Sequence, residues 1–436
     1  MNRVNRSVFQ RACALLGLAG VAAGAAMTSL PAAAQSGNQQ GGQSQNSSQV
    51  YQAHLCVTTW TSRTRGIDWA AQLNVQGTTI GKDAVLFYES AFGHFPYPGP
   101  HISDNPAYMQ RHLAKVAADV AAKIPDPNFS GYAVIDYEFW YPTWSKTPNV
   151  PSNLAADARD QDFKADWEDH IRATRPQLIA GLTGEARERA LAASYNQAAQ
   201  KFFLDTLREA KRVRPNAKWG FYGFPSREYY VTLKAFTDRW KAHHDNELGW
   251  LLDAVDVHYP NVYQMMRLVE DREPTRNTRE NSPAQNAEYI LANIREAVRV
   301  SRGKPVIAFV HYRYHPNVGR ELEGQWVPAT SIRQQMELPK QAGAQGVLIW
   351  DCIESEQQFR DLQRLITQVA APAVDPIAVL PGANNSPRLA SGSSRTAQPA
   401  ARATSRPAVA VTRLPNGKIV VSSSKRPTQV ANVPPQ

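Results

Sequence analysis

Asp136 and Glu138 stand two residues apart in the run Val134-Ile135-Asp136-Tyr137-Glu138-Phe139-Trp140. On an extended strand, positions i and i+2 face the same side, so both carboxyls point into one cavity. Two acids held that close cannot both ionise freely, and one pKa must rise. A carboxylic acid kept protonated near neutral pH can donate its proton to a departing oxygen. The bland alternative is an acidic strand end that caps a neighbouring helix or pairs with an arginine. Other chemistries have less support. His311 and His315 have a ligand-like spacing, but no third ligand stands at a convincing distance. Neither a Gly-x-Ser-x-Gly turn nor a Gly-rich phosphate loop before a helix is present. No metal and no cofactor are expected.

The acids need a scaffold that gathers them, and the chain supplies repeated short apolar runs. These are residues 56–60, 85–88, 132–137, 219–222, 254–258, 306–310 and 347–350, nearly continuous in hydrophobicity, as strands buried on both faces are. Helical spacing fills the gaps: Phe203, Leu207 and Ala210 recur at i, i+4, i+7, and so do Ile290, Ile294 and Ala297. Asn105 before Pro106 predicts a capped helix start, and Ser355 is a candidate cap for the last helix. Seven strands alternating with helices predict an α/β fold with a parallel sheet. A distorted (β/α) barrel of the TIM-barrel kind is the leading form, and an open doubly wound sheet is the alternative. In a barrel, chemistry gathers at the C-terminal ends of the strands. Those ends carry Tyr88 and Glu89, Asp136 to Glu138, Tyr222, His258 and Tyr259, His311, Tyr312 and Tyr314, and Trp350 and Asp351. A bowl of tyrosine and tryptophan around two carboxyls suits a sugar, whose rings offer apolar C–H faces and hydroxyls. Trp144 and Trp240 read as core or rim aromatics.

The ends of the chain differ in composition. Residues 1–34 combine Arg3, Arg6 and Arg11 with an apolar stretch and Ala32-Ala33-Ala34, the pattern of a cleaved secretory signal and too short for a membrane span. A secreted or periplasmic protein is therefore expected. Residues 35–50 are a Gln, Ser, Gly and Asn leader. From 373 to 436 the chain is rich in Pro, Ala, Ser, Thr and Arg, with one candidate hairpin around Pro415-Asn416-Gly417. The net charge of +10 lies entirely at these ends: three Arg in the signal, and eight Lys or Arg against Asp375 in the tail. The region between is balanced, so a nucleic-acid partner is not expected. The basic tail reads as a solvated, disordered segment, or else as a contact for acidic polymer. After signal removal only Cys56 and Cys352 remain. In neighbouring parallel strands they would lie on the order of 13 Å apart along the strand axis, beyond disulfide reach, and a bridge is not expected.

Residues 130–144, Ser-Gly-Tyr-Ala-Val-Ile-Asp-Tyr-Glu-Phe-Trp-Tyr-Pro-Thr-Trp, resemble the hyaluronidases of glycoside hydrolase family 56, with their Val-Ile-Asp-Trp-Glu and following Trp-Arg-Pro. Further segments resemble the family in the same order: Leu86-Phe87-Tyr88 with Phe95-Pro96-Tyr97, Trp219 to Pro225, Leu248-Gly249-Trp250, Tyr259-Pro260-Asn261-Val262-Tyr263, and Gly346 to Trp350. The resemblance covers about residues 56–370 of a barrel domain bounded at 51–372. It implies a seven-stranded distorted barrel and an endo-acting, retaining hydrolysis in which the substrate's own acetamido oxygen attacks. It also implies Glu138 as acid/base, Asp136 as partner of the acetamido group, Tyr259 and Tyr222 as its supports, and Tyr88 and Trp350 as lining of the sugar subsite. Tyr137, Tyr141, Tyr314 and Asp351 complete the candidate substrate-contacting set. A glycosaminoglycan-like polysaccharide is the implied partner, and a monomer is expected. Three departures stand out: Tyr137 between the acids, Tyr141 where the family has Arg, and Ser226 where it has Asp. A polysaccharide-binding protein that lost turnover through those changes is the alternative.

Overall fold

In the computed structural model, the described residues are 51–97, 100–146, 163–225, 234–270, 280–314, 321–369, 410–413 and 419–422. The expected signal and leader, Ser226, His315 and most of the basic tail lie outside them. Four strands come first: β1 (Gln52–Thr59), β2 (Ala84–Tyr88), β3 (Tyr132–Asp136) and β4 (Lys218–Phe221). Two-residue strands β5 (Arg267–Leu268) and β6 (Glu280–Asn281) follow, then β7 (Ile307–Val310) and β8 (Gly346–Ile353). β3 lies parallel between β2 and β4, and β8 lies parallel between β1 and β7. Residues 257–261 join the two ladders through parallel bridges Tyr222 to Tyr259, His258 to Val306, and Asn261 to Phe309. On the other side Leu55 N–H donates to the Gly81 carbonyl and Gly81 N–H to that of Ala53, both at 2.9 Å. Seven parallel strand positions thus close into a distorted, TIM-barrel-like ring, and the open-sheet alternative falls away.

The fifth strand position differs from expectation. The apolar residues before it belong to a short helix, Gly249–Ala254, and the strand-like contacts begin only at 257. A short apolar run does not by its periodicity separate a buried helix from a strand. Here Leu251 and Leu252 turn into the core, and Val257 then enters the lumen.

Side-chain alternation builds three apolar layers. Cys56, Leu86, Val134, Val257, Tyr259, Ile307, Phe309 and Leu348 fill the lumen. Outward-facing Phe87, Ala133, Ile135, Trp219 and Phe221 pack on α1 (Pro106–Lys123) and α2 (Gly184–Val213), through Val116, Phe202 and Phe203. Ala308, Val310, Val347 and Ile349 pack on α3 (Pro283–Ser301), α4 (Ala329–Gln341) and α5 (Glu356–Val369). Each fully buried side chain of this kind contributes about 1.5–3 kcal/mol. The helix starts follow local chemistry. Asn105 Oδ1 accepts from Ala107 and Tyr108 N–H, Ser282 and Gln285 form a reciprocal capping box, and Ser355 Oγ accepts from Gln358 N–H at 3.3 Å.

Among the described residues, Cys56 and Cys352 are free. Their stagger is smaller than the sequence spacing suggested, since Cys56 pairs with Trp350 and Cys352 with Thr58 across the β1–β8 ladder. A separate unit, residues 385–436, contains the expected hairpin, β9 (Ala410–Arg413) antiparallel to β10 (Ile419–Ser422). Among the described residues no helix is long and apolar enough to cross a membrane.

Candidate active site

β3 is buried along its whole length, and its alternation sends Tyr132 and Val134 into the lumen layer. Asp136 continues that row at the C-terminal end, and Glu138 follows just beyond it. Asp136 is 7% exposed and its Oδ1 has no hydrogen-bond partner among protein atoms. Burial, then the neighbouring Glu138 and Glu89, then a hydrogen bond to Glu138 push the Asp136 carboxyl well above the usual range. Burial first and Glu89 second push Glu138 up to about 7, while the hydrogen bond with Asp136 works the other way. The pair therefore shares its protons: Asp136 holds one firmly, and Glu138 gains or loses the next near neutrality.

Aromatic hydroxyls surround the pair. Trp350 Nε1 donates to the Tyr88 hydroxyl at 3.1 Å. Tyr263 lies against Trp350, ring centroids 6.0 Å apart and 28° from parallel, and its hydroxyl is hydrogen-bonded to that of Tyr222. Asn261 Nδ2 donates to the Tyr222 hydroxyl at 2.9 Å. Burial first holds the Tyr88 and Tyr263 phenols well above their ordinary pKa, and the nearby Asp136 carboxyl, once ionised, adds to this. Both stay protonated and can donate. A protonatable carboxyl pair, one member buried and the other half-buried, beneath phenol and indole groups can transfer a proton to a glycosidic oxygen and hold a sugar ring.

The sequence model of one family, described as hyaluronidase, matches residues 51–378. The chain belongs to the hyaluronidase family. A chondroitin hydrolase of Caenorhabditis elegans is 29% identical over 294 residues, spanning 63% of this chain and 57% of that protein. Human hyaluronidase-1 is 26% identical over 333 residues, 71% of this chain and 68% of its own length. This chain thus covers little more than half of the nematode relative. Bee venom hyaluronidase, solved with a hyaluronic acid tetramer, superposes with a TM-score of 0.55 at 20% identity, covering 74% of this chain and 100% of that one. That likeness is one of fold, and it agrees with the closed ring of seven strand positions.

Within this hyaluronidase fold the expected site residues separate into two groups. Asp136, Glu138, Tyr88, Tyr222 and Trp350 meet at the mouth. Tyr259 does not join them. It is fully buried lower in the lumen, and its hydroxyl donates to the Lys218 carbonyl at 2.9 Å, at the start of β4. Tyr263, four residues on, occupies the place beside the acids. Tyr137 faces outward: its hydroxyl donates to the Phe92 carbonyl at 3.1 Å and its ring packs among Phe95, Phe202 and Phe203. It is a core residue, because the i+1 position of a strand points away from its neighbours' cavity. Tyr314 is buried, and its hydroxyl accepts from Leu268 N–H at 3.2 Å, tying down β5. Asp351 also points away from the lumen, into a buried cluster with His311 at 3.8 Å, Arg313 at 3.4 Å and the Tyr312 hydroxyl. Burial opposes its charge, but the facing His311 and Arg313 outweigh it and hold the carboxyl below its usual range. Tyr141 is half-buried against Phe224 and His243, ring centroids 5.5 and 5.9 Å away. Among the described residues no cluster of three His, Cys, Asp or Glu could hold a metal.

Two residues at this site escaped the sequence reading. Tyr263 lay inside a segment already singled out, but Tyr259 closes the expected fifth strand and the family resemblance implied the supporting role for it. Glu89 was visible as an acidic strand end; its contacts were not. Its Oε2 accepts from Glu138 N–H and Phe139 N–H, both at 2.9 Å, and its Oε1 from the Tyr97 hydroxyl at 2.7 Å.

Proposed function

We propose that this chain is a secreted, endo-acting glycoside hydrolase that cleaves N-acetylhexosaminidic bonds of hyaluronan or a related glycosaminoglycan. The observation that carries the reading is the pair of buried Asp136 and half-buried Glu138 at the barrel mouth, in a chain of the hyaluronidase family. Protonated Glu138 donates to the leaving oxygen while the substrate's acetamido oxygen attacks the anomeric carbon. Glu138 then takes a proton from water as the intermediate opens, and the configuration is retained. Asp136 holds the acetamido group. Tyr263 and Tyr222 donate toward that group and the charge it develops, a role that geometry moves from Tyr259 to Tyr263. Tyr88 and Trp350 form the sugar wall. The similarity to a chondroitin hydrolase makes chondroitin the first alternative to hyaluronan. Residues 51–372 form the catalytic unit, following a cleaved signal at 1–34.

The test is reducing-end release from hyaluronan, chondroitin and a neutral N-acetylhexosamine polymer, with product masses. Glu138→Gln is expected to lose about 10²–10⁴-fold in kcat, and Tyr263→Phe to lose kcat with its fold intact. Equal release by the wild type and Glu138→Gln on every substrate overturns the reading.

A further inference from the structure

The geometry points to Glu89 as a positioning residue for the acid/base: a third carboxylate, just past the end of β2, that pins the backbone of Glu138 and sets its charge beside it. This inference rests on the reading of Glu138 given above. One oxygen of Glu89 receives two consecutive backbone N–H groups, those of Glu138 and Phe139, each at 2.9 Å. The other oxygen receives the Tyr97 hydroxyl at 2.7 Å. Glu89 N–H in turn donates to the Asp136 carbonyl at 3.0 Å. Both ends of the Asp136–Glu138 segment are thereby fastened to one residue just past the neighbouring strand, where β3 ends and its ladder can no longer hold the chain. Charge-assisted bonds from a carboxylate to backbone N–H groups are among the stronger hydrogen bonds in proteins.

The same carboxylate acts on the chemistry. The titratable groups around the pair are Tyr88 on β2, Glu89 just after it, Tyr97 farther on, Asp136 itself, Tyr263 past the fifth strand position and Cys56 on β1. Among the described residues, none of the groups that shift Asp136 or Glu138 is a cation. Glu89 is thus a source of negative potential that keeps Glu138 protonated into the neutral range. Tyr97 is 38% exposed, so its hydroxyl links this clamp to the solvent-facing rim.

Glu89→Gln keeps a carbonyl oxygen for the two N–H groups and removes the charge. Carboxyl-carbon NMR titration of Glu138 is expected to show its midpoint lowered by about one pH unit, and the alkaline limb of kcat/KM is expected to move with it. An unchanged Glu138 midpoint overturns the inference. The titration needs no turnover, so an inactive wild type would sink the proposed function while leaving this question open to the same measurement. Should the variant not fold, the wild type decides. The amide protons of Glu138 and Phe139 are expected to shift together on acidification, following Glu89, and independent movement overturns the clamp.

Discussion

Glu138 couples acidity to stability, and the sign can be worked out. An unfolded glutamate titrates near its ordinary value, about 4.3, while in the folded chain burial and Glu89 carry Glu138 to about 7. Between these values the native state binds more protons than the unfolded state, so stability is greatest below the lower one and falls as pH rises toward the higher one. The loss is about 3–4 kcal/mol for this group once pH exceeds the higher value. Glu138→Gln removes it: the denaturant midpoint is expected to rise at pH 8 and to stay near wild type at pH 4.5. An equal change at both pH values would refute the linkage. At this scale the sequence was informative about the acids, because the i, i+2 rule alone puts them on one side. It misdirected on Tyr259, because Tyr259 and Tyr263 share a parity. What separates them is height in the lumen, and that depends on a neighbouring strand.

That neighbour is β4, and its Gly220 explains the difference. A Cβ at this position would meet the Val257 carbonyl oxygen at 2.2 Å and the Tyr259 ring at 2.8 Å. The absent side chain is the space into which Tyr259 sinks, leaving Tyr263 to reach the mouth. Gly220→Ala must push residues 257–259 away from β4, at a cost of about 1–3 kcal/mol, to be read as a lowered urea midpoint with an unchanged m-value. A midpoint equal to wild type would mean that the two segments slide apart without strain. Element boundaries were legible where local chemistry marks them, as at Asn105 and Ser355. They failed at residues 249–258, where one apolar run is shared by a helix and a strand position, and only tertiary contacts divide it.

On the scale of the whole chain, composition foretold the closed parallel barrel, since seven apolar runs between amphipathic segments leave few other ways to bury both faces of every strand. The separation of charge was equally visible: the neutral stretch contains the barrel, and the excess of basic over acidic residues belongs to the ends. The buried cluster of Asp351, His311, Tyr312 and Arg313 was not, because a strand-end acid in a sequence does not reveal which side of the sheet it faces. The lumen layer has one more consequence. Tyr259, Val134, Phe309 and Leu348 stopper the barrel beneath the acids, so a polymer cannot thread through it. The endo-acting cleavage proposed above requires instead that the chain lie across the rim with both ends in solvent. In a digest of hyaluronan or chondroitin, viscosity is expected to collapse while few reducing ends have formed; a proportional fall of both would mean that cutting starts from the termini.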